Sequence, residues 1–213
     1  MLTINEIFYS IQGEATHAGD PCVFVRLTAC DLRCSWCDTP YAFYEGRKQS
    51  VEDVVSAVEG YGCPLVEITG GEPLLQDDVY PLMETLLARG YTVMLETGGH
   101  RSIARVPADV IKIVDVKCPG SGESDKNDWE NLARVGAGDE VKFVVTDRAD
   151  YEFARDVIAR YALAGRVRAI LVSPVHGVLD PRSVAEWMLE DHLPARHQFQ
   201  LHKLIWPATM RGV

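Results

Sequence analysis

Three cysteines crowd into one short stretch, Cys30-Asp31-Leu32-Arg33-Cys34-Ser35-Trp36-Cys37, spaced C-x3-C-x2-C. Thiolates are soft donors that suit an iron–sulfur cluster or zinc. Spacing this close lets one loop wrap around a cluster. Three thiolates on a four-iron cluster leave one iron open to a small ligand. A structural zinc site wants four ligands in a closed tetrahedron. No second C-x2-C pair occurs, so His17 or Cys22 would have to complete such a site. The isolated thiols Cys22, Cys63 and Cys118 sit in apolar or turn-like surroundings and read as buried side chains.

Four further segments carry polar and glycine residues at the ends of apolar runs. They are Thr69-Gly70-Gly71-Glu72-Pro73, Glu96-Thr97-Gly98-Gly99, Asp115-Val116-Lys117 and Ser173-Pro174-Val175-His176-Gly177. Paired glycines permit tight turns and a close approach of backbone to a ligand. Taken singly, each segment is as readily a turn as a site.

The elements that must position these residues follow from periodicity. Short runs rich in β-branched residues predict strands at 22–27, 65–69, 92–97, 110–116, 141–145 and 169–172. Between them lie helical patterns. Ser50 caps the first, with Asp53 at its third position and Val51, Val54, Val55 and Val58 on its apolar face. Leu82, Leu86 and Leu87 mark the next, which Gly90 ends. Phe153, Val157, Ile158 and Tyr161 mark another, and Pro181 opens the last, which carries Val184, Trp187 and Met188. The segment 115–135 is loop-like, with one short helix near Trp129. Strands alternating with helices predict an α/β fold with a mostly parallel sheet, either open or an incomplete barrel. In both cases ligands gather at the C-terminal ends of the strands, where the unusual residues fall.

Bulk properties set bounds. The chain has 213 residues and a hydrophobic fraction of 47%, which suits one domain with a sizeable core. The net charge of -10 and the lack of a basic block argue against nucleic-acid partners. No apolar run is long enough to span a bilayer, and the N-terminus has no signal-like pattern, so a cytoplasmic protein without membrane partners is expected. That setting also argues against pairing the six cysteines as disulfides.

A C-x3-C-x2-C loop after the first strand of a parallel α/β domain resembles the radical S-adenosylmethionine (SAM) superfamily, and Trp36 matches its common aromatic before the last cysteine. The resemblance implies a [4Fe-4S] cluster on Cys30, Cys34 and Cys37 whose open iron chelates the amino and carboxylate groups of SAM. One electron then splits SAM into methionine and a 5′-deoxyadenosyl radical that abstracts hydrogen. Gly70-Gly71-Glu72-Pro73 matches the superfamily's GGEP motif, which implies a contact with the SAM amino group. Trp36, Asp38, Gly99, Lys117, Ser173, Pro174, Val175 and His176 complete the implied SAM environment.

Over its whole length the chain resembles the 7-carboxy-7-deazaguanine synthase family. Glu6-Ile7-Phe8-Tyr9-Ser10-Ile11-Gln12-Gly13-Glu14 matches the family's opening, and Arg26 precedes the first cluster cysteine by four residues. Asp38-Thr39 follows Cys37, and His202-Lys203-Leu204 resembles the closing strand. The family implies a partial β/α barrel of six mainly parallel strands in a single domain, 1–213. Its reaction converts 6-carboxy-5,6,7,8-tetrahydropterin to 7-carboxy-7-deazaguanine with loss of ammonia, a radical lyase step of queuosine biosynthesis, with SAM regenerated and magnesium assisting. The match implies substrate contacts from Ile11, Gln12, Gly13, Glu14, Arg26, Thr97, His202 and Pro207, with Glu14 on the guanidine-like part, Arg26 on the carboxylate and Thr39 on Mg2+. A homodimer and an electron donor such as flavodoxin or ferredoxin are implied partners. Two features depart from the pattern: Ala15 replaces a common glycine, and the tail continues from Ala208 to Val213. Two other readings compete: an activase that makes a glycyl radical on a partner protein, and a non-enzymatic Fe–S or zinc module.

Overall fold

The structure is a computed structural model describing all 213 residues. Strand β1 (Leu2–Ile11) folds back antiparallel on β2 (Pro21–Leu27), and β3 (Arg47–Gln49) pairs antiparallel with the other edge of β1. Helix α1 (Val51–Glu59) leads to β4 (Leu65–Gly70), and α2 (Val79–Ala88) to β5 (Thr92–Thr97). Next come β6 (Ile111–Val116), α3 (Glu130–Arg134), β7 (Glu140–Val145), α4 (Arg148–Arg160) and β8 (Ala169–Pro174). Helix α5 (Pro181–Glu190), β9 (Arg196–His197) and α6 (His202–Ile205) complete the chain. The strand order is β3-β1-β2-β4-β5-β6-β7-β8-β9, and no pairing joins β9 to β3, so the sheet stays open.

The six strands expected from sequence are β2 and β4 to β8, and they are parallel to one another. The sheet nevertheless has nine strands, not six, and mixed pairing. Strand β1 was not expected, because residues 6–11 read as part of the family's opening motif and not as a strand. Strands β3 and β9 are too short to show a period. The expected closing strand at 202–204 is instead the single helical turn α6. Its backbone bonds locally, Ile205 N to Leu201 O and Trp206 N to His202 O, while Leu204 and Ile205 stay exposed, so no sheet face asks to be buried.

Local chemistry sets the helices. Ser50 and Asp53 form a reciprocal capping box on α1, whose Val54, Val55 and Val58 are fully buried. Pro181 occupies the first turn of α5 after the Asp180 cap. One face of the parallel strands, including Val23, Val25, Val66, Ile68, Val93 and Leu95, belongs to the apolar core. The alternate residues turn to the other face, and there the chemistry is different. No helix is long and apolar enough to cross a membrane.

Candidate active site

A cavity of about 630 Å³ occupies the inner face of the sheet. Its rim is the loop after β2, and paired glycines hold that loop in place. A Cβ on Gly70 would come within 2.3 Å of Leu27 O, and one on Gly71 within 2.1 Å of Ala29 O. Only glycine lets the end of β4 press this closely against the start of the cysteine loop. The contact is sealed by Gly71 N donating to Leu27 O at 3.1 Å and Glu72 N to Ala29 O at 2.7 Å. Further along, Ser35 N donates to Ser121 O at 3.0 Å and Arg33 N to a Glu123 carboxylate oxygen at 2.6 Å.

Cys30, Cys34 and Cys37 are free thiols, half-buried, and all three line the cavity. Burial pushes the Cys30 thiol up to about 11. Burial likewise raises Cys34 and Cys37, opposed by the nearby Lys117 ammonium. Thiols of this kind become thiolates when a cationic metal centre binds them. Three soft thiol donors on one loop, all lining the same cavity, fit an iron–sulfur cluster.

Below the rim, charged residues stand at alternate positions of the strands. Arg26 on β2 donates from Nε to Glu6 at 2.8 Å, and no protein acceptor takes its terminal nitrogens. Tyr41 also donates to Glu6, at 2.9 Å, fixing the carboxylate that aims Arg26. Lys142 on β7 is buried and donates to Glu14 at 2.9 Å and to Glu96 on β5. Burial would depress its ammonium, but Glu14 and Glu96 hold it well above the usual range. Burial works against ionised Glu14 too, yet Lys142 keeps its carboxyl low. Glu67 on β4 takes the opposite course: burial, with the charges of Glu96 and Glu14 added, pushes it well up, and Gln12 donates to it.

The C-terminal segment closes one side. Leu201 N donates to Gly13 O at 2.9 Å, and a Cβ on Gly13 would meet His202 Nδ1 at 2.2 Å. Gly13 thus lets the His202 ring seat against the loop after β1. Lys203 donates to Asp38 at 2.7 Å and ties α6 to the cysteine loop. Burial of Asp38 opposes its charge, but Lys203 wins and holds the carboxyl far below its ordinary value.

Of the residues singled out from sequence, Ile11, Gln12, Gly13, Glu14, Arg26, Cys30, Cys34, Trp36, Cys37, Asp38 and Thr39 line this one cavity. So do Gly70, Gly71, Thr97, Lys117, Val175, His176 and His202. Glu72, Gly99, Ser173, Pro174 and Pro207 do not. Glu72 is completely buried; it accepts from Thr97 Oγ1 at 2.9 Å and from Gly98 N at 2.8 Å, which braces the turn after β5. In place of Pro207, residues 208–213 lie along the cavity. Sequence reasoning passed over Glu67, Lys142 and Gln200, and it named Glu96, Asp115 and Lys203 only as members of motif segments with no role of their own; all six line it. For Glu67 and Lys142 the available signal was a lone charge inside a parallel strand, where an unbroken apolar run is the norm.

Residues 25–116 match the family model described as the radical SAM superfamily. The chain is 48% identical over 226 residues to 7-carboxy-7-deazaguanine synthase of Koribacter versatilis (strain Ellin345), covering 100% of both proteins. It is 45% identical over 215 residues to 7-carboxy-7-deazaguanine synthase of Chlorobaculum tepidum, covering 100% of this chain and 97% of that protein.

The chain belongs to the 7-carboxy-7-deazaguanine synthase family.

The crystal structure of QueE from Escherichia coli superposes with a TM-score of 0.79 at 26% identity, covering 94% of each chain. The α/β fold is therefore of the radical SAM type, and membership of that superfamily brings with it an iron–sulfur cluster and SAM. Within this family the cysteine loop and the Gly-Gly turn gain a joint purpose. The glycines hold the loop from below so that all three thiols face the cavity.

Proposed function

We propose that the chain converts 6-carboxy-5,6,7,8-tetrahydropterin to 7-carboxy-7-deazaguanine with release of ammonia, a radical SAM lyase step in queuosine and 7-deazapurine biosynthesis. The observation that carries this is Arg26. It stands below the thiol rim with Nε anchored on Glu6 and its terminal nitrogens without a protein acceptor. Such a fork pairs a carboxylate in bidentate fashion, and the substrate carries one. Held by Cys30, Cys34 and Cys37, a [4Fe-4S] cluster would supply the electron that cleaves SAM to methionine and a 5′-deoxyadenosyl radical. Trp36, Asp38, Gly70, Gly71, Lys117, Val175 and His176 line the same cavity and, with Glu72, Gly99, Ser173 and Pro174 behind its lining, are the residues assigned to SAM.

The chain's own residues orient the substrate and keep water out. Phe8 and Phe24 stack with centroids 4.9 Å apart beside Arg26 and make that wall apolar. His202, seated on Gly13, covers the pterin from the C-terminal side. Thr39 is the protein ligand assigned to Mg2+. Its hydroxyl and the Asp38 carboxylate are hard oxygen donors on the cavity wall, which suits that ion, and substrate oxygens and water would complete the shell. The rest of the assignment is a single cytoplasmic domain, working as a homodimer with flavodoxin or ferredoxin as reductant.

The test is an anaerobic assay of the reconstituted protein with the pterin, SAM and reductant, with and without magnesium. Formation of 7-carboxy-7-deazaguanine with ammonia is the expected result. Absence of product, with radical transfer to a polypeptide instead, would make the chain an activase. Thr39→Ala is expected to keep the cluster and SAM binding yet lose most of its magnesium stimulation. An unchanged magnesium response would remove Thr39 from the metal site.

A further inference from the structure

Glu14, the residue that the N-terminal motif offers to the guanidine-like part of a pterin, is already engaged. Its Oε2 accepts from Lys142 Nζ at 2.9 Å and Gln198 Nε2 at 3.1 Å, and its Oε1 accepts from Gln200 Nε2 at 3.0 Å. It serves as a hub that ties the loop after β1 to β7 and to the C-terminal segment. Little acceptor capacity remains for a ligand.

The wall made by β4, β5 and β6 differs. Glu67, Glu96 and Asp115 all turn into the cavity there. Glu67 accepts from Gln12, Glu96 from Lys142, and Asp115 Oδ2 from Lys117 Nζ at 2.7 Å. Each of these acids uses one oxygen and leaves the other without a protein donor. Asp115 Oδ1 is the clearest case. The residue is only 8% exposed, lines the cavity, and this oxygen is buried with no hydrogen-bond partner. Leaving such a group unsatisfied is costly, and a donor on a ligand recovers that cost. Glu96 has its side chain 25% exposed, so its second oxygen is reachable.

Position agrees with chemistry. Arg26 pairs in register with Thr69, and Glu96 lies one step beyond the Ile68–Leu95 pair, so Arg26 and Glu96 stand at one level with β4 between them. At about 4.8 Å between strands, their backbones are about 10 Å apart. That span suits a bicyclic ring whose carboxylate sits at one end and whose amino group and ring N–H sit at the other.

We infer that Glu96 and Asp115, with Glu67 beside them, receive the N–H-rich edge of the pterin while Arg26 holds its carboxylate. This assignment rests on the pterin substrate proposed above. It makes Glu96 the specificity residue for the 2-amino group and Glu14 a positioning residue that acts through Lys142.

The test measures equilibrium binding of 6-carboxy-5,6,7,8-tetrahydropterin, and of its analogue lacking the 2-amino group, to cluster-reconstituted, SAM-loaded protein without reductant. Glu96→Gln is expected to weaken binding of the full pterin by about 10- to 100-fold. Wild type should lose a similar factor toward the analogue, and the two losses should not add, because both remove the same contact. A general structural defect would weaken both ligands equally. Wild-type protein that turns over the pterin, alongside an E96Q variant binding it within about twofold, overturns this assignment alone. Should E96Q fail to fold, the analogue decides: wild type binding it as tightly as the full pterin overturns the assignment too. Wild type that neither binds nor turns over the pterin overturns the proposed substrate and this assignment with it.

Discussion

The rim and the inner wall of the cavity are built on opposite plans. At the rim, three thiols and a Gly-Gly turn come from two short, local segments, and backbone contacts between those segments fix the geometry. On the wall, Arg26, Glu67, Glu96, Asp115 and Lys142 come from five strands, one each, and only sheet register brings them together. A rim of this kind specifies a cofactor, whose shape is constant. The wall presents a pattern of charges, and such patterns select a substrate. The rim motif therefore identifies the chemistry, and the distributed wall identifies the molecule on which it is performed.

The largest effect is expected at the rim. Cys34→Ala should abolish SAM cleavage while leaving the fold largely intact, because only three thiols are available and the loop is also held through Ser35 and Arg33. Iron content and 5′-deoxyadenosine formation after anaerobic reconstitution measure it. Substantial cleavage by C34A would mean that the rim does not hold the cluster through all three thiols.

The same contrast explains what was legible in the sequence. The cysteine loop, the Gly-Gly turn and six parallel strands could be read because each is a contiguous pattern. Helix α1 was readable to its capping box for the same reason. Glu67 and Lys142 were not, since a single charge in an apolar run has no local partner that reveals its role. Lys112 makes the point: it lies in the same kind of run, yet it pairs with Asp139 and does not line the cavity. Only register and facing separate the two lysines. Strands β3 and β9 and the turn α6 escaped because nothing but tertiary pairing or local bonding defines them.

On the wall the next effect is smaller and falls on substrate alone. Arg26→Lys keeps the charge but loses the planar fork. The expected outcome is a rise of about 10- to 100-fold in KM for the pterin, with SAM binding unchanged. An equal loss of SAM affinity would blur the division between rim and wall.

A pH experiment probes the wall without substrate. Glu67 faces the carboxylates of Glu96 and Glu14, the Lys142 ammonium and the Gln12 amide, and its carboxyl is raised above the ordinary value of 4.5 by burial and by the two acids. A raised carboxyl favours the folded state most below its unfolded value, and that contribution is lost as pH climbs through the folded value. Glu67→Gln removes the loss. The melting temperature of E67Q relative to wild type should therefore rise by a few degrees between about pH 5 and about pH 8. Parallel curves would show that the wall accommodates an ionised Glu67 at no cost.

The smallest effect is expected from a cysteine that belongs to neither region. Cys63 has the residue type of the rim but the setting of the core: it is buried, and its thiol donates to Pro21 O at 3.2 Å and to Leu65 O. It does not line the cavity. Cys63→Ala removes one sulfur and a weak hydrogen bond next to the start of β4, so the expected cost is about 1 kcal/mol of stability. Iron stoichiometry, SAM cleavage and product formation should match wild type. Thermal melting and iron analysis on the same reconstituted sample check both halves at once. A drop in iron without a drop in melting temperature would show that Cys63 takes part in cluster loading. Identity of side chain would then matter more than placement, and the distinction between a cysteine loop and a buried thiol would fail.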